Sequence, residues 1–360
     1  MNRAINFSAG PCTLPLEVLE EAQAEFVDYH GAGMSLVEMS HRSDEYDQVH
    51  QEALALSSEV AGAPDDFAPL FIQGGASLQF AMVPMNLLAP GETAGYVDSG
   101  AWGTKAIEDG SHHGDLYTAW SGAAEAYRRM PSPVEIDARP ASRYLHVTTN
   151  ETIGGIRMVE WPETDVRLVG DVSSEFMSRP IPWDRFDVVY GGAQKNLGPA
   201  GVTVVFVRRS ILERTNRNLA AYLRYDVHAA TDSLHNTPPV FAVFMMGKVL
   251  KWMKASGGLA EMERRAEERA GLLYETIDSS GGFYTSPVEP TSRSMMNVVF
   301  RLPTEDLEAS FIERATAEGM MNLKGHRSVG GVRASLYNAM PLEGVAALTN
   351  LMSEFKAAHG

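Results

Sequence analysis

The chain has 360 residues, 44% of them hydrophobic and 21% charged, which supplies a large core and excludes a disordered or fibrous polymer. Thirty basic side chains against 46 acidic ones leave a formal charge of -16, which argues against nucleic-acid and anionic-membrane partners. A lone cysteine, Cys12, excludes an intramolecular disulfide and any cysteine metal cluster, and fits a reducing compartment.

The spacing of Leu16, Leu19, Ala22, Phe26 and Tyr29 predicts a helix from Pro15 to His30, and a second runs from Asp44 to Gly62. Short apolar runs at Leu70-Gln73, Ala94-Asp98, Leu116-Ala119, Tyr144-Thr148, Val166-Gly170, Val188-Tyr190 and Val202-Val207 read as strands. Several lack polar alternation, above all Val202-Val207, as strands covered on both faces do. A mostly parallel sheet of seven strands between helices is therefore expected, an α/β fold. An apolar helix from Pro239 to Ala255, the Gly257-Gly258 break and a charged helix from Leu259 to Ile277 mark a hinge. Beyond it Ser294-Arg301, a helix from Asp306 to Glu318, Gly331-Leu336 and a last helix from Leu342 to His359 predict a smaller α/β unit. The expected division is 16–256 for the large unit, with 1–15 and 257–360 forming the small one. No apolar run approaches the roughly 20 residues of a membrane span, and no signal-peptide pattern opens the chain, so a soluble cytoplasmic protein is expected.

Among seven lysines, Lys195 alone sits in a glycine-rich turn, Gly191-Gly192-Ala193-Gln194-Lys195-Asn196-Leu197-Gly198, directly after an apolar strand. Burial of an ammonium is unfavourable, lowers its pKa and frees the amine as a nucleophile for carbonyl chemistry. Twenty-four residues earlier, Val166-Arg167-Leu168-Val169-Gly170-Asp171 ends a strand on a carboxylate. A lysine that condenses with an aldehyde and a fixed acid that keeps a pyridine nitrogen protonated together point to pyridoxal phosphate. Taken singly, Asp171 also reads as a turn cap and Lys195 as a snorkelling surface side chain.

Further motifs follow other strands. Gln73-Gly74-Gly75-Ala76-Ser77 leads into a helix whose N-terminal amides suit a phosphate, although a plain tight turn explains it equally. Trp102, in Ser99-Gly100-Ala101-Trp102-Gly103, is placed either to stack on a ring or to fill core. The stretch Thr149-Asn150-Glu151-Thr152 offers hydroxyls for a ring oxygen or for capping. The convergence of these sites at strand ends matches the ligand crevice of an open α/β sheet. His-Arg pairs recur at His41-Arg42 and His326-Arg327, with Arg333 nearby, as suits a dianionic substrate; surface ion pairs would explain any one of them.

These residues resemble the phosphoserine aminotransferases, class V members of the fold type I pyridoxal-phosphate enzymes. The similarity runs from Asn6-Phe7-Ser8-Ala9-Gly10-Pro11 through Ser40-His41-Arg42 and Gly191-Gly192-Ala193-Gln194-Lys195-Asn196 to Gly325-His326-Arg327 and Tyr337-Asn338-Ala339-Met340-Pro341. It implies that Lys195 carries pyridoxal 5'-phosphate, Asp171 meets the ring nitrogen, Trp102 stacks on the ring and Thr152 donates to it. The phosphate would lie against Ala76, Ser77 and Gln194. Asn236 and Thr237 match positions that reach it from a neighbouring subunit, which implies a homodimer with shared active sites. Substrate anions would meet His41, Arg42, His326, Arg327 and Arg333. Some family members carry an arginine where this chain has Ser77, which shifts anion recognition here toward Arg42 and Arg327. The implied reaction exchanges an amino group between L-glutamate and 3-phosphohydroxypyruvate, giving 2-oxoglutarate and O-phospho-L-serine. The four-carbon analogue of pyridoxine synthesis, 4-phosphohydroxy-L-threonine, is a further expected substrate. The rivals are an alanine-glyoxylate type of aminotransferase, a non-catalytic cofactor-binding protein and a cysteine desulfurase, for which Cys12 is in the wrong place.

Overall fold

The computed structural model describes residues 3–215 and 218–360. Seven strands form the central sheet: β1 (Phe67–Ile72), β2 (Thr93–Asp98), β3 (Asp115–Ser121), β4 (Leu145–Thr148), β5 (Leu168–Asp171), β6 (Phe186–Gly192) and β7 (Thr203–Arg208). Their order is β1-β7-β6-β5-β4-β2-β3. Only β7 runs against its neighbours. The expectation of a mostly parallel sheet holds. Strands β4, β5 and β6 are buried along their whole length, which is why their sequences show no polar alternation.

Helices cover both faces. Helices α1 (Leu16–Glu25) and α2 (Asp44–Ala61) come first, then α3 (Gly75–Leu87) and α4 (Ala101–Gly110) after β1 and β2, and α5 (Val240–Ala255) after the sheet. Phe80 and Val83 of α3 and Ala106 of α4 pack on Tyr96, Val169 and Tyr190 on one face. Val49 and Leu56 of α2, with Val243 and Leu250 of α5, pack on Leu145, Leu168 and Phe206 on the other. A separate core joins Phe7 to α6 (Gly258–Asp278), β8 (Asn297–Phe300), α7 (Glu305–Ala317), β9 (Val332–Ser335) and α8 (Leu342–His359), through Leu273, Phe300, Phe311, Ala334 and Phe355. Among the described residues no helix is long and apolar enough to cross a membrane.

Three local features depart from the sequence pattern. Helix α1 stops at Glu25 rather than His30: the Phe26 amide bonds back to Gln23 in a tightened last turn, the Tyr29 amide turns to the Met34 carbonyl oxygen, and His30 and Gly31 adopt positive φ values of 52° and 81°. Helix α4 was not anticipated from its glycine content; at Gly103 a side chain would press a Cβ to 2.9 Å from the Val97 carbonyl oxygen, so the helix sits this close to the sheet only because the residue is glycine. Ile5–Asn6 pairs in parallel with Met320–Met321, a two-residue ladder too short for any periodic signal.

Candidate active site

Because β2, β4, β5 and β6 run in the same direction, the segments that follow them emerge along one edge of the sheet. That edge gathers Trp102, Glu151, Thr152, Asp171 and Lys195. Asp171 is the last residue of β5, opposite Thr148 on β4 and Tyr190 on β6. Its Oδ1 accepts from the Ser173 amide at 2.9 Å and the Ser173 hydroxyl at 2.6 Å. Its Oδ2 has no donor among the described residues. Burial pushes this carboxyl group's pKa up, while the nearby Lys195 charge and the Ser173 bonds pull it down.

Lys195 lies just past β6, 9% exposed, and its Nζ donates to Thr152 Oγ1 at 2.9 Å. The same Nζ lies 5.5 Å from the centroid of the Trp102 ring. Desolvation lowers its pKa; Asp171 and Glu151 oppose that shift, and Arg333 adds to it. The result is a buried amine held in place by one hydroxyl and biased toward its neutral, nucleophilic form.

Arg333, on β9, reaches the Thr152 carbonyl oxygen with Nη1 at 3.4 Å and has no ion-pair partner among the described residues. Burial lowers its pKa. His326 is held below its usual value by burial and then by the charges of Arg333, Arg327 and Lys105. Lys105, on α4, lies 5.0 Å from the Trp102 ring centroid.

Ala76 and Ser77 occupy the first turn of α3, whose N-cap, Gly74 at φ 97°, supplies no capping side chain. The positive φ values of Gly74 and Gly75 turn the strand sharply into the helix. Gln194 is half-buried, and its carbonyl oxygen accepts from the Cys12 amide at 3.1 Å. Thr237 contributes its carbonyl oxygen to Gln73 Nε2 at 3.1 Å, beside the α3 turn, and to its neighbour Asn236 Nδ2 at 3.1 Å. No hydrogen bond or ion pair joins His41, Arg42, Asn236 or Thr237 to the Lys195 group among the described residues. The single chain brings together Trp102, Thr152, Asp171, Lys195 and Arg333; His326 and Arg327 are linked to Arg333 by charge alone, and the other four lie outside that network.

Three residues of the site escaped the sequence patterns. Ser173 orients Asp171. Tyr337 donates its hydroxyl to the Ala9 carbonyl oxygen at 2.9 Å and accepts from Asn297 Nδ2 at 3.2 Å, tying β8 and the N-terminal segment to the site. Glu151 is wholly buried beside the start of α4. The one cysteine, Cys12, donates to the Lys195 carbonyl oxygen, and burial pushes its thiol up to about 12, so it is no thiolate nucleophile.

These features fit pyridoxal phosphate. The donor-free Asp171 Oδ2 suits a protonated ring nitrogen, the uncapped amides of α3 suit a phosphate, and the desolvated Lys195 suits an aldehyde carbon. The Trp102 indole N–H is itself buried without a partner, a donor left over in the same crevice.

The class-V aminotransferase family model matches residues 4–348. Over 355 residues, covering 99% of each chain, the sequence is 51% identical to a phosphoserine aminotransferase of Laribacter hongkongensis. The structure matches phosphoserine aminotransferase from Bacillus circulans subsp. alkalophilus with a TM-score of 0.98 and 49% identity, covering 100% of both chains. It matches the PLP-bound phosphoserine aminotransferase from Trichomonas vaginalis with a TM-score of 0.93 and 35% identity, covering 98% of this chain and 100% of that one. The fold is therefore the type I pyridoxal-phosphate fold, and the chain belongs to the class-V aminotransferases.

Proposed function

We propose that this protein is a phosphoserine aminotransferase, transferring the amino group of L-glutamate to 3-phosphohydroxypyruvate to give 2-oxoglutarate and O-phospho-L-serine. The observation that carries this is the buried Lys195 amine on Thr152, within reach of the charges of Asp171 and Arg333, with Arg333 itself bonded to the Thr152 carbonyl oxygen. Bound pyridoxal phosphate supplies an electron sink for the bond-breaking at the substrate's α-carbon. Asp171 Oδ2 holds the proton on the ring nitrogen, with Ser173 keeping the carboxylate from turning. Lys195 binds the cofactor and then moves a proton to and from the α-carbon, a task that its lowered pKa favours. Thr152 aims Nζ, and Trp102 covers the ring face. Ala76, Ser77 and Gln194 receive the cofactor phosphate at the α3 N-terminus.

Arg333 pairs with the substrate's carboxylate, and His326 and Arg327, joined by His41 and Arg42, meet its second anion. A chain of net charge -16 repels such a substrate at long range, so a local cation cluster must capture it. A homodimer completes the site, with Asn236 and Thr237 reaching the neighbouring phosphate. Exposed Phe26, Val27, Met34, Val37 and Phe241 give such a dimer apolar surface to cover. The core that joins Phe7 to the segments from Ala270 to Phe355, apart from the clusters on the two faces of the central sheet, supports a small unit at 1–15 and 257–360 and a large one at 16–256. The same cation cluster suits 4-phosphohydroxy-L-threonine, whose charges match those of phosphoserine, and the single unpaired Cys12 suits a cytoplasmic setting.

Glutamate alone should bleach the visible band of the bound cofactor, and 3-phosphohydroxypyruvate should restore it. Steady-state kcat/KM should favour 3-phosphohydroxypyruvate over glyoxylate; the reverse preference would overturn the assignment in favour of an alanine-glyoxylate type of enzyme. Arg327→Ala should raise KM for the phosphorylated substrate about tenfold or more, the worth of one charged hydrogen bond, with little change in kcat. An unchanged KM would remove Arg327 from the anion site.

A further inference from the structure

Glu151 is 1% exposed and follows β4, the strand that pairs with the β2 leading into the helix it serves. Helix α4 begins after Gly100, which has no side chain with which to cap it. The Glu151 carboxylate takes that place. Its Oε2 accepts from the Trp102 amide at 3.1 Å, and its Oε1 accepts from the Gly103 amide at 2.8 Å and the Ser99 hydroxyl at 3.3 Å. A carboxylate at a helix N-terminus satisfies amides that have no partner within the helix and meets the positive end of the helix dipole. The fit is close: a Cβ at Gly100 would come to 2.8 Å from Glu151 Cδ.

The main chain of Glu151 is held just as firmly. It pairs with Ile156, and its carbonyl oxygen accepts from the Gly155 amide at 2.8 Å, closing the turn that carries Thr152. Trp102 and Thr152, which flank Lys195 Nζ, are thus both attached to this one residue.

We propose that Glu151 is a positioning residue for transamination: its carboxylate sets Trp102 and its backbone sets Thr152, so that both meet the cofactor ring in a single geometry. The proposal rests on the cofactor assignment above. It also makes the Trp102 side of the site sensitive to pH. Burial, reinforced by the charge of Asp171, pushes the Glu151 carboxyl up to about 7, against the pull of its three donors. Above that value an anion grips the α4 amides. Below it a neutral acid holds them less tightly, and Trp102 loosens. The other charged or titratable groups around it are Lys195 past β6, Tyr127 after β3, Asp98 bonded to Thr104 at 2.8 Å, and Lys105 across the Trp102 ring.

The test uses the full chain, first without cofactor. The Trp102 contribution to fluorescence, taken as wild type minus Trp102→Phe, should titrate with a midpoint at about 7. Glu151→Gln should abolish that titration, weaken binding of pyridoxal phosphate about tenfold, shrink the cofactor's visible circular dichroism and lower kcat while KM for glutamate holds. Glu151→Asp, which keeps the charge, should recover part of each. A Trp102 signal that stays flat across pH 7 overturns the proposal, and this holds even if Glu151→Gln fails to fold. Unchanged cofactor affinity and dichroism in Glu151→Gln, with only a lower Tm, also overturn it, by reducing Glu151 to a structural cap. Failure of the wild type to bind pyridoxal phosphate would instead sink the cofactor assignment and leave the fluorescence titration standing.

Discussion

Lys195→Ala is expected to lower turnover by about 10⁴-fold or more while leaving a folded protein. The change removes the amine that binds the cofactor and also the group that carries the proton. It removes little packing: Lys195 Nζ makes one hydrogen bond, to the Thr152 hydroxyl, which can turn to another partner. The lost group is also one whose charged form burial disfavours, so its removal relieves a desolvation cost and does not open the core. The thermal midpoint of the cofactor-free protein should therefore stay close to that of the wild type. Borohydride reduction followed by peptide mass mapping should place the cofactor on Lys195 in the wild type and on no lysine in the variant. Near-normal turnover in Lys195→Ala, or an adduct on a different lysine in the wild type, would refute the assignment.

Replacement of Asp171 by alanine should reduce kcat by roughly 100-fold to 1,000-fold, the usual loss when one preorganised electrostatic group is taken from an active site. The effect differs in kind from that at Lys195. The variant should still bind pyridoxal phosphate, through Lys195 and the α3 amides, and should still show a visible band. What it loses is the charge that keeps the ring nitrogen protonated. Ser173 cannot supply that charge, since both of its bonds to Oδ1 are donated. The half-reaction with glutamate should slow in step with kcat when followed by stopped-flow absorbance. A variant that runs this half-reaction at the wild-type rate would place the ring nitrogen elsewhere.

The chemistry-bearing residues differ in how visible they were from the chain alone. Lys195 and Asp171 stood out because an ionisable side chain interrupted an apolar or glycine-rich run, a local contradiction that needs no fold to be noticed. Thr152 and Trp102 could be suggested but not separated from caps and core. Their meaning depends on the 2.9 Å and 5.5 Å separations from Nζ, which join segments far apart in sequence. Lys105 and Glu151 carried no signal at all. One is a charged residue on a helix that its glycines concealed, and the other an acid in a polar loop whose burial nothing nearby predicted.

The positions of the strands along the chain, the expectation of a mostly parallel sheet and the likeness to one aminotransferase family all came from local pattern, because apolar periodicity and glycine placement act over a few residues. Convergence was decided only by the tertiary structure. Parallel pairing of β2, β4, β5 and β6 brings four loops to one edge, and β9 delivers Arg333 to Thr152 from 181 residues away in the chain. Desolvation, which lowers the pKa of Lys195 and raises those of Asp171 and Glu151, arises from that packing. It depends on what surrounds a side chain in space, and neighbours in sequence do not determine that.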